Sequence, residues 1–246
     1  MDVHENINQL FSAAKATDEF EYCCTLLRLR GLESPGWDPL QESISLIDQL
    51  LAMIEAPIQE SLQIRIILML YCHVTEMNDL YNILGNLIRI TCHNDRYSML
   101  LFPNSKYPTQ KINEIMTWAN ETEYVMIPQN LEAMLVRQLR NAFSHSDYVL
   151  IPSAINLVNG QSVVIDGIGQ QSIPLKWLQP KVNLAIGIVR HVIDKTIQSI
   201  REYKESKILK GRFAADESVM DLELIVDPKW GLTGFRSFNR STPNEA

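Results

Sequence analysis

The stretch from residue 58 to about residue 92 constrains the fold more than any other part of this chain. Its apolar residues recur at helical spacing, on all sides in the first half and along one stripe in the second half. That stripe comprises Met77, Leu80, Tyr81, Leu84, Leu87 and Ile88. A helix that is buried at one end and half-exposed at the other is typical of the centre of a helical bundle. We therefore predict a mainly α protein, a helical bundle built around one long helix over these residues.

A β-hairpin is predicted between the last two long helices, which we place at about residues 130–148 and from Pro174 to about Lys207. The runs "YVLIPSAINLV" and "QSVVIDGIG" alternate apolar and polar residues around Asn159 and Gly160. An Asn-Gly pair between two such runs is a strong hairpin signal, because both positions of a type I′ turn need positive φ. We expect two antiparallel strands within about residues 148–168, paired across this turn.

The chain shows no flexible linker, so we predict a single domain over all 246 residues. Residues 1–57 would form N-terminal helices, and residues 58–207 the bundle with its inserted hairpin. Residues 208–246 would form a C-terminal extension with one short strand followed by ordered coil. The final residues, "NRSTPNEA", are expected to be frayed.

Charge and composition exclude several classes of protein. The formal net charge of −7 and a pI of about 5.3 argue against a broad electrostatic grip on nucleic acid, although a small basic cleft remains compatible with them. The four cysteines include no CxxC pair, which favours buried, reduced thiols over a disulfide framework or a zinc ribbon. No P-loop, GxGxxG or GxSxG motif occurs, so we predict no cofactor.

The apolar runs predict a cytoplasmic protein that does not enter a membrane. The longest run, "IRIILMLYCHV", is too short to span a bilayer and includes Arg65. The polar, acidic N-terminal segment has the pattern of neither a signal peptide nor a transit peptide.

The segment "LRNAFSHSDYVL" carries the most informative polar residues. On a helix over residues 130–148, Asn141 and His145 lie one turn apart, and the long side chain of Arg140 can swing towards them. The polar side comprises Arg137, Arg140, Asn141, Ser144 and His145, and the core side comprises Leu131, Leu135, Leu139, Ala142 and Phe143. A guanidinium, an amide and an imidazole on one side of a helix suit phosphate binding and proton transfer. The alternative is an ordinary solvated helix face.

This segment resembles the signature of the HEPN superfamily (higher eukaryotes and prokaryotes nucleotide-binding domain). Those domains are helical bundles marked by an arginine, usually a polar residue next, and a histidine four to six residues further on. Arg140, Asn141 and His145 fit that pattern, and "RIILMLYCHVTEMNDLYNILGNLIRI" fits the long partner helix. The resemblance covers about residues 58–207, whereas the N-terminal helices, the hairpin and the tail are less typical.

The resemblance implies a metal-independent endoribonuclease that acts as a homodimer, with the motifs of two protomers in one cleft. His145 would be the acid–base group, Arg140 would hold the scissile phosphate, and Asn141 would orient the phosphate or the ribose. We assign Arg137 and Ser144, on the same polar side, to substrate binding. A toxin–antitoxin or antiviral defence system, with an antitoxin or regulatory protein as a partner, would fit this activity. Other members are inactive, and the alternative is a silent helical module that binds a nucleotide or a protein partner.

Glu76 lies on the preceding predicted helix and shares a face with His73, three residues earlier. A metal site there would need a third ligand such as Asp79 or His93, and the sequence has no HExxH or paired ExxH pattern. We therefore predict no metal. We expect Glu76 to pair with an Arg or His of a neighbouring helix. If that partner is Arg140 or His145, Glu76 would position a site residue without contacting the substrate itself.

Overall fold

The computed structural model describes residues 2–28, 39–92, 105–212 and 218–238, and its helices confirm the mainly α class. The helices are α1 (Val3–Thr17), α2 (Glu19–Leu27), α3 (Pro39–Glu55), α4 (Glu60–Glu76), α5 (Asn78–Thr91), α6 (Pro108–Ala119), α7 (Met126–Met134), α8 (Arg137–His145) and α9 (Leu175–Glu202). The strands are β1 (Tyr148–Ile151), β2 (Ala154–Leu157), β3 (Val163–Ile165), β4 (Ile168–Gln170), β5 (Ser172–Pro174), β6 (Ile208–Gly211), β7 (Met220–Asp227) and β8 (Gly231–Ser237).

Helix α5 lies at the centre of the helices, where it packs against α1, α2 and α6. Its apolar stripe is almost completely buried, as the helical spacing of these residues predicts. Helix α9 packs against α1, α2, α4 and α7 and encloses the other side of the core. One continuous cluster of buried apolar side chains joins these helices to the small antiparallel sheets.

The prediction of one long helix over residues 58–92 is wrong, because the helix breaks at Met77. Met77 has an extended backbone, with φ −61° and ψ 111°, so α4 ends at Glu76 and α5 begins at Asn78. The buried hydroxyl of Tyr81 donates to the Thr75 carbonyl at 2.6 Å and so satisfies an acceptor that the end of α4 leaves free. Both helices bury their stripes in the same core, and the apolar periodicity therefore continues across the break.

The predicted helix over residues 130–148 is also interrupted, at Leu135 and Val136. The hydroxyl of the buried Tyr71 donates to the Met134 carbonyl at 2.7 Å and accepts the Val136 N–H at 2.8 Å. One side chain from α4 thus satisfies the last carbonyl of α7 and a free N–H before α8. The interruption makes α8 a separate short helix whose direction is set by its packing on α4.

The predicted hairpin region contains several short strands, and the predicted pairing across Asn159 and Gly160 is wrong. Strand β2 pairs with β1 and β5, whereas β3 pairs only with β4 in the described part of the chain. Asn159 and Gly160 do form a turn with positive φ, at 57° and 73°. Asp166 and Gly167, with φ of 51° and 78°, make the tight turn between β3 and β4.

The C-terminal extension forms a three-stranded antiparallel sheet, in the order β6-β7-β8, instead of the one strand and coil that we predicted. The buried face of this sheet carries Leu222 and Leu224 and packs against α2 and α9. Gly231 has φ 83°, and a Cβ there would lie 2.2 Å from the Ile200 carbonyl oxygen, so this close approach requires glycine. Helix α9 ends at Glu202, five residues before the predicted end, and the segment expected to be frayed lies outside the described residues.

The cysteines agree with the prediction of free thiols. Cys23, Cys24 and Cys72 are buried, and Cys92 is half-buried. Burial raises the pKa of the Cys23 and Cys72 thiols to about 12 in each case, which keeps both in the unreactive protonated form at neutral pH. Among the helices that the structure describes, none combines the length and the apolar character needed to cross a bilayer.

Candidate functional site

Helix α8 is a short amphipathic helix that packs its apolar side on the core and ends in a tight chain reversal. Leu139 and Ala142 are buried against the core, and Phe143 stacks on Tyr148 with the ring centroids 5.7 Å apart. After His145 the chain turns through Ser146, which has φ 59°, and the Asp147 N–H donates to the Ala142 carbonyl at 2.8 Å. His145 therefore occupies the last turn of α8, next to this chain reversal.

The structure places the predicted site residues together on the outward side of α8. Arg137, Ser144 and His145 are exposed, and Arg140 and Asn141 are half-buried. Asn141 and His145 are separated by one helical turn and therefore share a face. The core residues Leu139 and Ala142 point the opposite way, as the sequence pattern predicts.

Arg140 forms a close ion pair with Glu76. The sequence had offered Arg140 and His145 as possible partners of this carboxylate, and the structure pairs it with Arg140. Arg140 Nε lies 2.6 Å from Glu76 Oε1, and the two side chains are 21% and 40% exposed. Helix α4 packs against α8, and the break at Met77 leaves Glu76 as the last residue of α4. The ion pair therefore joins the two helices at the edge of the polar face.

A second cation, which the sequence analysis did not identify, lies near the same carboxylate. Lys111 on α6 is only 7% exposed, its Nζ donates to Asn78 Oδ1, and it lies 5.6 Å from the centroid of the Tyr81 ring. Burial lowers the pKa of Lys111, and the negative charge of Glu76 opposes that shift. No sequence signal separates Lys111 from an ordinary surface lysine, because its burial depends on how α6 packs against α5.

The pKa of Glu76 is raised by the balance of burial and these cations. Partial burial penalises the ionised carboxylate, whereas Arg140 and Lys111 favour it and reduce the shift. Glu76 also lies at the C-terminal end of α4, where the helix dipole disfavours a negative charge. The carboxylate beside Arg140 is thus easier to neutralise than an exposed glutamate.

The loop after β2 is tied to the end of α8 by Asp147, a residue that the sequence analysis did not single out. Asp147 Oδ1 accepts from the Asn159 amide at 2.7 Å, and its Oδ2 accepts from the Gln161 amide at 3.4 Å. The Asp147 carbonyl also accepts the Val158 N–H at 3.0 Å. Asp147 lies two residues after His145, and these bonds hold the Asn159–Gly160 turn against it. The turn is therefore bonded to the end of α8 and does not join two paired strands.

His73 does not extend the site. Burial lowers the pKa of His73, and a hydrogen bond to the Ser43 backbone opposes that shift. No group of three or more His, Cys, Asp or Glu side chains within the described ranges is arranged to hold a metal ion. His93, one of the third ligands considered from the sequence, lies outside those ranges, and the prediction of a metal-free site stays a prediction.

Comparison with known proteins adds no relative of this chain. No protein-family model matches it, no curated protein is similar to it, and no solved structure matches its fold. The resemblance to the HEPN superfamily, which was inferred from Arg140, Asn141 and His145 in the sequence, therefore stays a prediction.

Proposed function

We propose that this protein is an HEPN-like, metal-independent endoribonuclease with α8 as its catalytic helix. The observation that carries the proposal is the position of Arg140, Asn141 and His145 on one outward side of α8, with His145 exposed in the last turn. In this proposal His145 exchanges protons with the RNA, Arg140 binds the scissile phosphate, and Asn141 orients the phosphate or the ribose. Arg137 and Ser144 contact the RNA from the same face.

The reaction that suits these groups is transfer of the phosphate to the neighbouring 2′-oxygen. A base removes the proton of the ribose 2′-hydroxyl, the 2′-oxygen attacks phosphorus, and the bond from phosphorus to the 5′-oxygen breaks. An acid then protonates the departing 5′-oxygen, and the products carry a 2′,3′-cyclic phosphate and a 5′-hydroxyl. Arg140 would stabilise the negative charge that develops on the phosphate oxygens.

A homodimer would complete the site by supplying a second set of the same groups. One histidine acts as a base early in the reaction, and a second can supply the proton to the leaving oxygen. A two-fold axis beside α8 would bring two copies of His145 and Arg140 together from identical surfaces. It would also concentrate positive charge locally in a chain whose net charge is −7. A toxin–antitoxin or antiviral role, with an antitoxin or regulatory protein covering the α8 face, fits such an enzyme.

The second candidate is a catalytically silent module that uses the same α8 face to bind a nucleotide or a protein partner. Two observations favour it. The ion pair with Glu76 already occupies part of the Arg140 guanidinium, and the chain as a whole is acidic. Both candidates use the same residues, so an activity measurement separates them.

The deciding experiment is cleavage of RNA by the purified protein in EDTA. The ribonuclease proposal expects cleavage in chelator, cyclic phosphate ends, and loss of both in His145→Ala. His4→Ala, which removes a half-buried histidine from α1, is the matched control and should cleave like the unaltered protein. Cleavage that stops in EDTA and returns with Mg²⁺ contradicts the mechanism, and a pure protein that cleaves no RNA favours the silent module.

A further inference from the structure

The close pair between Arg140 and Glu76 places an anion of the protein itself on the Nε edge of the guanidinium that the proposed function assigns to a phosphate. The contact of 2.6 Å between Arg140 Nε and Glu76 Oε1 is shorter than an average hydrogen bond from a neutral N–H group. A guanidinium offers five N–H donors in one plane, and a carboxylate and a phosphodiester accept them in similar ways. Each of these two anions carries a single negative charge when ionised. They therefore compete for the same cation.

Lys111 offers the Glu76 carboxylate a second cationic partner when it leaves Arg140. Among the residues that the structure describes, the groups whose charge or titration is coupled to it are Arg140 from α8, Lys111 from α6, Tyr81 from α5 and Cys72 from α4. Among these, Lys111 is a second cation that attracts the same carboxylate. Lys111 Nζ bonds to Asn78 Oδ1, a neutral acceptor, and so keeps donor capacity for a displaced carboxylate.

The carboxylate is also held less firmly than its short contact suggests. Its side chain is 40% exposed, so water screens the attraction, and partial burial at the end of α4 disfavours its ionised form. Exchange of this carboxylate for an incoming phosphate is therefore a balance between similar interactions. Neutralising Glu76 would tip that balance towards the incoming anion.

We propose that Glu76 is a built-in competitor for the anion site at Arg140, so that a phosphate binds by displacing the carboxylate towards Lys111. This inference rests on the proposed function in taking the ligand to be the phosphodiester of RNA. It gives Glu76 a role opposite to that of a purely supporting residue. A supporting carboxylate increases the affinity of the site for phosphate, whereas a competitor decreases it.

The test compares binding of a short, 2′-O-methylated and therefore non-cleavable RNA to the unaltered protein and to Glu76→Gln, by fluorescence anisotropy at fixed salt and neutral pH. The glutamine keeps the shape of the side chain and removes its charge. We expect Glu76→Gln to bind about twofold to fivefold more tightly, which is the upper part of the range for loss of one partly exposed ionic interaction. Glu60→Gln, with the same charge change at the exposed other end of α4, should change affinity by less than about twofold.

Two further measurements test whether the increase in RNA affinity depends on Arg140 and on the ionisation of Glu76. In the background of Arg140→Ala, Glu76→Gln should bring no gain in affinity, because the two residues act on one interaction. As the pH falls, the unaltered protein should approach the affinity of Glu76→Gln. Groups that titrate in both proteins, histidines included, cancel in that difference, and burial keeps Cys72 and Tyr81 protonated throughout.

Circular dichroism and the melting temperature show whether each variant is folded, and Glu76→Ala replaces Glu76→Gln if the latter is not. Equal or weaker binding by the Glu76 variant overturns the competitor, as does the absence of binding in every variant. If Glu76→Gln binds more tightly and no RNA is cleaved, the competitor stands and the ribonuclease proposal fails. If RNA is cleaved and Glu76→Gln brings no gain, the ribonuclease proposal stands and the competitor fails.

Discussion

Two sites in the molecule, here called the Tyr203 corner and the α8 corner, each contain a carboxylate beside a cation: Glu19 with Lys207, and Glu76 with Arg140. They differ in the polar groups that surround the ion pair. At one corner, Tyr203 donates to Glu19 Oε1 at 2.9 Å and accepts from the Cys23 thiol at 3.3 Å. Lys207 Nζ lies 2.5 Å from the same Glu19 oxygen, and Lys15 lies 4.8 Å from the centroid of the Tyr203 ring. Each polar group there has a partner within the protein, and Tyr203 is only 5% exposed.

The corner at α8 is only partly closed. Arg140 and Glu76 pair with each other, but Arg137, Ser144 and His145 are exposed beside them. The Tyr203 corner joins α1, α2 and the end of α9. An ion pair alone therefore says little about function. Lys207 is exposed as well, at 42%, so the α8 corner differs by the exposed imidazole and hydroxyl groups of His145 and Ser144 beside its pair.

The largest expected effect is the loss of RNA cleavage in His145→Ala. Removing a general acid–base group should lower the rate by a factor of about 100 to 10,000. The melting temperature should hardly change, because an exposed substitution usually costs no more than about 0.5 kcal/mol. Cleavage rates and thermal melts of the same preparation check both statements. A large drop in melting temperature together with the rate would mean that His145 is structural, as Tyr203 is.

Arg140→Ala should have the next largest effect, lowering both RNA affinity and rate. The loss of a charge-assisted phosphate contact corresponds to about 1.5–3 kcal/mol, or a factor of about 10 to 150. Arg65→Ala, which removes an exposed arginine from α4, is the matched control for the change in net charge. If both variants lose affinity equally, general charge and not the α8 face accounts for RNA binding.

Substituting the two buried tyrosines by phenylalanine should separate the corners. Tyr71→Phe leaves the Met134 carbonyl and the Val136 N–H without their partner, and Tyr203→Phe removes the donor to Glu19. Each should lower the free energy of unfolding by about 1–3 kcal/mol, measured by urea denaturation. We expect only Tyr71→Phe to reduce cleavage as well, because Tyr71 holds the junction that orients α8. Equal activity of the two variants would show that this junction does not position the site.

The smallest expected effect is a difference in the pH dependence of stability between the unaltered protein and Glu76→Gln. The pKa of Glu76 is raised in the folded state, so the folded protein holds its proton more tightly than the unfolded chain does. Its contribution to stability is therefore present at low pH and is lost as the pH rises through the raised pKa. We expect the unaltered protein to lose less than about 0.5 kcal/mol relative to Glu76→Gln over that range, because the side chain is partly exposed. Parallel urea titrations at several pH values would show it, and a difference of opposite sign would mean that Arg140 outweighs burial.

The amino-acid sequence by itself determined the elements whose signals are local. The apolar stripe of α5 is buried as its spacing predicts, because a helix with one apolar side must cover that side. Asn159 and Gly160 form a turn with positive φ, since these residue types adopt that conformation at low cost. The division of α8 into a core side and a polar side follows from the same helical geometry.

Tertiary structure decided where these elements are interrupted and which polar groups meet. At the break before α8, the Tyr71 hydroxyl bonds the Met134 carbonyl 63 residues away along the chain, whereas at the Met77 break Tyr81 bonds a carbonyl six residues away. The Asn159 turn is bonded to Asp147, so its flanking strands pair elsewhere. Lys111 is buried, and Arg140 meets Glu76, only because α6 and α8 pack onto neighbouring helices. Contacts between residues that are distant along the chain produce no periodic pattern in the sequence. Local patterns therefore predicted which residues lie on the α8 face, but not which charged groups surround Arg140.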